Sequence, residues 1–241
     1  RIRTGLYIED TITLGAHIYL QGDVFGVYIQ SDAPTKNLIV ASHNSGLANM
    51  MLQGPGSDGS NFACIHLDGS AIVGAFSLLN VSYGNSRRFV NISSTGGSAV
   101  ISSRGGGASV GPALFEGFSL SGSGIGTLVL SNFDFQVADP SANVEHIIFI
   151  NGPTNRAVIT SLQGAVFAGT GGHVIHMENG ASVDVNSLFA DGFERGLHLV
   201  NVGAGPSIRA SGMTIINSVI EDVGILHPAA TGFIGGAFDK D

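Results

Sequence analysis

The chain has 241 residues, of which 36 are glycine, one is cysteine and none is tryptophan. An apolar content of 44% with a mean hydropathy of +0.33 excludes a disordered chain, and glycine without a strict third-position period excludes collagen. The net charge is −8, from 10 basic and 18 acidic residues, and the basic residues are scattered, so we expect no nucleic-acid partner.

Two further classes are excluded by the apolar runs and by the cysteine count. No apolar run approaches the roughly 18 residues that a membrane-spanning helix needs, so we expect no membrane insertion. The lone Cys64 excludes an internal disulfide and a cysteine-rich zinc site. Because the chain starts at Arg1 without methionine or a signal peptide, we expect a fragment of a longer protein.

Short apolar runs recur along the chain at intervals of 25 to 32 residues. The first run of each unit, strand A, is marked by Ile12, Val40, Ile72, Val100, Leu128, Val158, Val183 and Ile208. The second run, strand B, covers residues 17–20, 47–52, 76–78, 108–110, 133–135, 165–167, 188–189 and 213–215. The third run, strand C, covers residues 27–29, 65–67, 90–92, 118–120, 147–149, 175–177 and 197–199.

Strand C alternates apolar and polar residues, as in Ile175, His176 and Met177, which is typical of a strand with one buried face. Turns such as Asn179-Gly180 often follow it, since Asn and Gly tolerate positive φ. No segment keeps a helical period, and a propeller blade needs four strands. The pattern therefore predicts a coil of three strands that stacks on itself, with parallel pairing between coils.

This period and strand pattern resembles the right-handed parallel β-helix of the pectin-lyase-like superfamily, which includes bacteriophage tailspikes and parts of tail fibres. The resemblance implies an all-β, single domain over residues 1–241, with about eight coils of 25–32 residues and a rod on the order of 40 Å long. Residues 6–8 resemble the last strand of an incomplete coil, and Phe233 falls where a ninth strand A would begin. Both ends then need caps from a longer chain or from partner subunits.

In-register stacking predicts an external ladder of strand-C side chains along the rod. Its expected members are Tyr7, Tyr28, His66, Asn91, Ser119, Ile148, His176 and His198. One interpretation is a metal site of His176, His198 and Glu178. The other is a plain ladder or a subunit interface, with tyrosines that cover neighbouring strands or contact sugar rings.

The second half of the chain is acidic, with four basic and eleven acidic residues after residue 120. A glycosidase uses two carboxyl groups about 5–9.5 Å apart, and the candidates here are Asp191, Glu194, Glu221 and Asp222. Solvated turn carboxylates are the alternative interpretation. The Asn-Thr-Asp, paired Asp, Gly-His-Gly and Arg-Ile-Lys motifs of polygalacturonase-like members do not occur, so the resemblance supplies no catalytic set.

Only 12% of the residues are charged, so much of the rod surface is neutral, which favours association of several rods. We expect a homotrimer on a virion surface or outside the cell, acting as a non-enzymatic shaft that binds a receptor or cell-surface polysaccharide, with no cofactor. The alternatives are a polysaccharide-degrading tailspike, acting as a hydrolase or lyase, and the passenger segment of a bacterial adhesin or autotransporter.

Overall fold

The computed structural model describes residues 1–23, 26–33, 35–55, 62–68, 73–84, 86, 88–94, 97–110, 114–137, 139–200, 204–225 and 230–238. Within these ranges the secondary structure is entirely β. The strands are β1 (Gly5–Glu9), β2 (Ile12–Leu14), β3 (Tyr19–Gln21), β4 (Val27–Ser31), β5 (Ile39–Ala41), β6 (Ser45–Gln53), β7 (Ala63–Asp68), β8 (Val73–Gly84), β9 (Arg88–Ser94), β10 (Ser98–Arg104), β11 (Gly107–Val110), β12 (Leu114–Gly122), β13 (Ile125–Ser131), β14 (Phe133–Val137), β15 (Asn143–Asn151), β16 (Arg156–Ile159), β17 (Leu162–Val166), β18 (His173–Glu178), β19 (Ser182–Val185), β20 (Leu188–Asp191), β21 (Arg195–Leu199), β22 (Ser207–Ile216), β23 (Val223–Ile225) and β24 (Thr231–Phe238).

These strands form two sheets whose neighbours pair in parallel. One sheet has nine strands in the order β2-β5-β7-β9-β12-β15-β18-β21-β23. The other sheet has 15 strands and covers two faces of the solenoid. The long strands β6, β8 and β22 continue from one face to the next and join them, whereas other coils have a separate strand on each face. The chain is a parallel β-solenoid of about eight turns, which confirms the predicted fold class.

The inward side chains of successive coils lie directly above one another. Phe76, Ile101, Leu128, Ala157, Val183 and Ile208 occupy one such column, and all are buried. The predicted strand-A markers Val100 and Val158 are one residue off this column and lie on its partly exposed outer side. The predicted strand β24 follows as the next rung, with Phe233 opposite Arg209.

The first three coils differ from the prediction in the face that some runs occupy. Residues 76–78, predicted as strand B, lie in register with residues 101–103 of β10, in the strand-A column. Ile12 and Val40, predicted as strand A, lie in the nine-stranded sheet with the later C strands. Residues 6–8 and 27–29, predicted as strand C, lie in the 15-stranded sheet. The periodic apolar residues show where the strands of each coil lie, but they do not show which of the three faces of the solenoid each strand occupies. The predicted faces are therefore exchanged in these coils. The marker Ile72 lies outside the described residues.

The expected ladder member Ile148 is another correction. Ile148 pairs with Phe118 and Ile175 on the inner side and is fully buried, whereas Phe149 lies in register with Ser119 and His176. The run 147–150 is apolar throughout, so alternation within it does not show which residue faces outward.

Aromatic rings fill the interior of the solenoid in its middle coils. The Tyr83 ring stacks on Phe89 at a centroid distance of 4.7 Å, and Phe118 meets Phe133 edge to face at 5.2 Å. All four side chains are almost completely buried. Contacts between rings from different coils tie neighbouring turns together in addition to the backbone ladder.

Asparagine and glycine form one corner between the two faces of the large sheet. Asn49 and Asn80 have positive φ, and Asn80 Nδ2 donates a hydrogen bond to the side-chain oxygen Oδ1 of Asn49 at 3.2 Å. Gly106 follows in the next coil with a φ of 99°, where a Cβ would lie 2.1 Å from the Val81 carbonyl oxygen. This corner therefore requires glycine at that position.

In the part of the chain that the structure describes, no helix is long and apolar enough to cross a membrane.

The register at Ile148 can be tested by a pair of alanine variants. We expect Ile148→Ala to lower the free energy of unfolding by about 2–5 kcal/mol, because it leaves a cavity in the core. Phe149→Ala removes a larger side chain from the outer face and should cost less. Urea denaturation measures both, and a greater loss for Phe149→Ala would contradict the register.

Candidate functional site

A repeated irregularity in the nine-stranded sheet places polar side chains in two adjacent columns. In several coils two successive residues are both buried, as in Ile147-Ile148 and Val174-Ile175. The residues on either side of each buried pair then project to the same outer face, three positions apart. The first column is Arg88, Glu116, His146, His173 and Arg195. The second column is His66, Asn91, Ser119, Phe149, His176 and His198.

Four histidines meet where these columns run side by side over three coils. His176 is central: its Nδ1 lies 3.3 Å from His173 Nδ1 and 3.1 Å from His198 Nδ1. The ring centroids of His146 and His176 are 4.5 Å apart, and those of His173 and His198 are 4.1 Å apart. We call these four residues the histidine cluster. His146 and His176 are each only 8% exposed.

The outer nitrogens of two rings have defined partners. His176 Nε2 lies 3.0 Å from Glu178 Oε1, and since a carboxylate accepts, Nε2 carries the proton and Nδ1 carries the lone pair. Arg195 donates to His173 Nε2 at 3.3 Å, which places the His173 proton on Nδ1. The lone pair on His176 Nδ1 therefore already accepts a hydrogen bond from the protonated Nδ1 of His173.

The remaining nitrogens of the cluster are poorly satisfied. His198 Nδ1 faces the same lone pair of His176 that His173 occupies. His198 Nε2 and His146 Nδ1 are buried and have no hydrogen-bond partner among the described residues. Unpartnered buried nitrogens cost free energy and indicate a role other than stability.

Burial lowers the pKa of every member of the cluster. Burial, followed by repulsion from His176 and His198, lowers the pKa of His146 to about 3. Burial and the neighbouring histidines also lower the pKa of His173 to about 3, and burial lowers that of His198 to about 4. Burial lowers the pKa of His176 as well, although Glu178 acts in the opposite direction. All four rings are neutral at pH 7, the form in which imidazole binds metals.

Charged groups surround the neutral rings. Arg88 pairs with Glu116 above the cluster, and Arg195 pairs with Glu221 below it at 2.6 Å. Glu178 contacts His176, and Glu145 Oε1 lies 3.6 Å from His146 Nε2. Glu116 and Glu221 are thus paired with arginines, and Glu178 and Glu145 lie beside ring nitrogens of the cluster.

The residues of the sequence-based metal hypothesis lie together in the structure. His176, His198 and Glu178 occupy one patch, but the sequence analysis missed His146 and His173. A signal for them exists, because a polar residue stands three positions before the ladder residue in coil after coil, as in His173 and His176.

The other ladder candidates lie elsewhere. His66 is in the same column, where its Nδ1 lies 3.3 Å from Asn91 Nδ2. The two tyrosines belong to the 15-stranded sheet and are out of register: Tyr7 pairs with buried Ile29, and Tyr28 pairs with Leu6 and Met51. They therefore form no column with the histidines.

The carboxylate candidates make contacts between coils. Asp191 accepts a hydrogen bond from Asn217 at 2.8 Å, and Glu221 is paired with Arg195. Asp222 is 2% exposed. The Glu194 carbonyl oxygen accepts backbone bonds from residues 220 and 221 of the next coil. The side chains of Asp191 and Glu221 therefore join neighbouring coils, and Glu194 does so through its backbone; catalysis by these residues stays a prediction.

A groove of about 670 Å³ lies on the 15-stranded sheet, near the asparagine corner. Its lining includes the side chains of Tyr28, Asn49, Met51, Asn80 and Ser82. The Tyr28 side chain is 44% exposed. The groove offers an aromatic ring beside two amides and a hydroxyl.

A comparison with known protein families finds no family model that matches the chain. A comparison with curated proteins finds no match either.

The lowered pKa values predict a pH-dependent stability after metal ions are removed with a chelator. Unfolded histidine titrates near pH 6.5, so the folded state keeps its full stability above that pH and loses it as the pH falls toward 3. For His146 alone we expect a loss of about 2 kcal/mol between pH 7 and pH 5.

Thermal or urea denaturation at both pH values measures this loss. His146→Gln should reduce the dependence, whereas His17→Gln, which changes an exposed histidine outside the cluster, should not. Equal stability at pH 7 and pH 5 would contradict the assignment.

Proposed function

We propose that the protein is a rigid, non-enzymatic rod that binds a cell-surface polysaccharide, as the shaft of a phage-like tail spike or fibre does. Its location is then the virion surface or the outside of the cell. The groove beside Tyr28 carries the proposal, because it combines the chemistry that sugars require. The continuous solenoid core supports the rigid role, since each coil buries its apolar side chains against both neighbours.

The groove suits a neutral or weakly charged sugar. The exposed Tyr28 ring offers an apolar face to the C–H side of a pyranose, and Met51 extends that apolar surface. The amides of Asn49 and Asn80 and the hydroxyl of Ser82 provide donors and acceptors for sugar hydroxyls. All of these side chains belong to adjacent strands of one rigid sheet, so little ordering is needed on binding.

Binding can be tested with a glycan array followed by calorimetry on the best ligand. We expect Tyr28→Ala to weaken that ligand about 5- to 30-fold, because it removes the stacking face. Asn80→Ala should weaken it as well. Tyr19→Ala is the matched control, since Tyr19 is 61% exposed and does not line the groove. Equal losses for Tyr19→Ala and Tyr28→Ala, or no bound glycan, would refute the site.

We also infer that three copies associate side by side. Large apolar side chains are exposed in the last coils, away from the groove, including Val219, Ile225 and Phe233. Such side chains mark interfaces, and cyclic association of parallel rods would cover them in every copy at once.

Sedimentation equilibrium at micromolar concentration should give three times the chain mass of 24.7 kDa. Phe233→Lys should shift the equilibrium toward monomer, because it places a charge in the interface. Gln163→Lys is the control at an exposed position of β17, in a middle coil. A monomeric mass for the unmodified chain would overturn the trimer.

A further inference from the structure

We propose that the histidine cluster binds one transition-metal ion, of the class of Zn²⁺, through imidazole nitrogens of His146, His173, His176 and His198. This site goes beyond the proposed glycan-binding function and does not depend on it. Imidazole is a preferred ligand of Zn²⁺, Cu²⁺ and Ni²⁺, and four nitrogens satisfy a tetrahedral ion.

The spacing of the nitrogens fits such an ion. A tetrahedral ion with Zn–N distances of about 2.0–2.1 Å holds its ligand nitrogens about 3.3–3.4 Å apart. The Nδ1 atom of His176 lies 3.3 Å from that of His173 and 3.1 Å from that of His198. One nitrogen each of His146, His173 and His176 lie within 4.8 Å of one another, so ligation by all of them would require the rings to close in by rotation of their side chains.

The unmet hydrogen bonds point to the same ligand. Without an ion, His173 and His198 compete for one lone pair on His176, and His146 Nδ1 is buried without a partner among the described residues. A cation accepts several lone pairs at one point, which no single hydrogen-bond donor can do. Ion binding would move the His173 proton to Nε2, so Arg195 would turn away from that ring and keep its contact with Glu221.

The surroundings complete the site. Glu178 accepts from His176 Nε2 and thereby fixes this ring with Nδ1 directed at the cluster, the usual second layer of a histidine–zinc site. The carboxylates of Glu178 and Glu145 lie beside ring nitrogens of the cluster, and negative charge at this position favours a cation. Partial exposure of His173 and His198 leaves a path for the ion to enter.

Calorimetric titration of the untagged, chelator-treated full chain with ZnCl₂ tests the proposal. We expect one ion per chain and a rise in the melting temperature with zinc concentration. His176→Ala should abolish this binding. His43→Ala is the matched control, because His43 belongs to a separate histidine pair with His17, and it should bind zinc as the unmodified chain does.

Two further measurements keep the proposal testable if His176→Ala does not fold. Glu178→Gln keeps all four rings and should weaken zinc binding about 10- to 100-fold. Co²⁺ added to the unmodified chain should give the visible absorption of a four-coordinate ion, which a surface-bound aquo ion lacks. Absence of binding, unchanged affinity in a folded His176→Ala variant, or loss of affinity in His43→Ala would each overturn the site.

Discussion

Parallel stacking of successive coils in register is the constraint on which the whole structure depends. Each backbone ladder holds neighbouring coils about 4.8 Å apart, so a side chain in one coil has its counterpart directly above and below it. On the inside this places Leu128 between Ile101 and Ala157. On the outside the same geometry brings His176 and His198 into contact, although 22 residues separate them in the chain.

The same geometry explains why the histidine cluster is unusual. A column of like side chains is harmless for serine or asparagine, which donate and accept in turn, as Asn80 and Asn49 do. Neutral imidazole has one donor and one acceptor on separate ring nitrogens, and in this cluster His146 Nδ1 and His198 Nε2 find no partner among the described residues. Burial also removes the option of charging them, because it lowers the pKa of His146 and His173 to about 3. The proposed cation explains why these four histidines lie together, because it would bind the nitrogen lone pairs that hydrogen bonds within the cluster leave unsatisfied.

Much of the fold could be predicted from the sequence, because a solenoid repeats its apolar pattern once per coil. Alternation in strand C correctly placed His176 in one column with His198, and Ile175 and Met177 in columns with the buried Leu197 and Leu199. It failed at Ile148, where four apolar residues in succession carry no information about the outward side. It also failed for His146 and His173, since the buried pairs that follow them interrupt alternation and project residues three positions apart to one face. The groove beside Tyr28 was not predictable, because it depends on which strand of the first coils lies in which sheet.

Parallel pairing also gives the rod a direction. Every coil directs one set of backbone N–H and C=O groups toward the first coil and the complementary set toward the last coil. The strand edges at the two ends of the solenoid, those of β1 and β24, are therefore complementary in their hydrogen-bonding pattern. A chain segment or subunit that continues the solenoid at either exposed edge has to add its strands in the same direction.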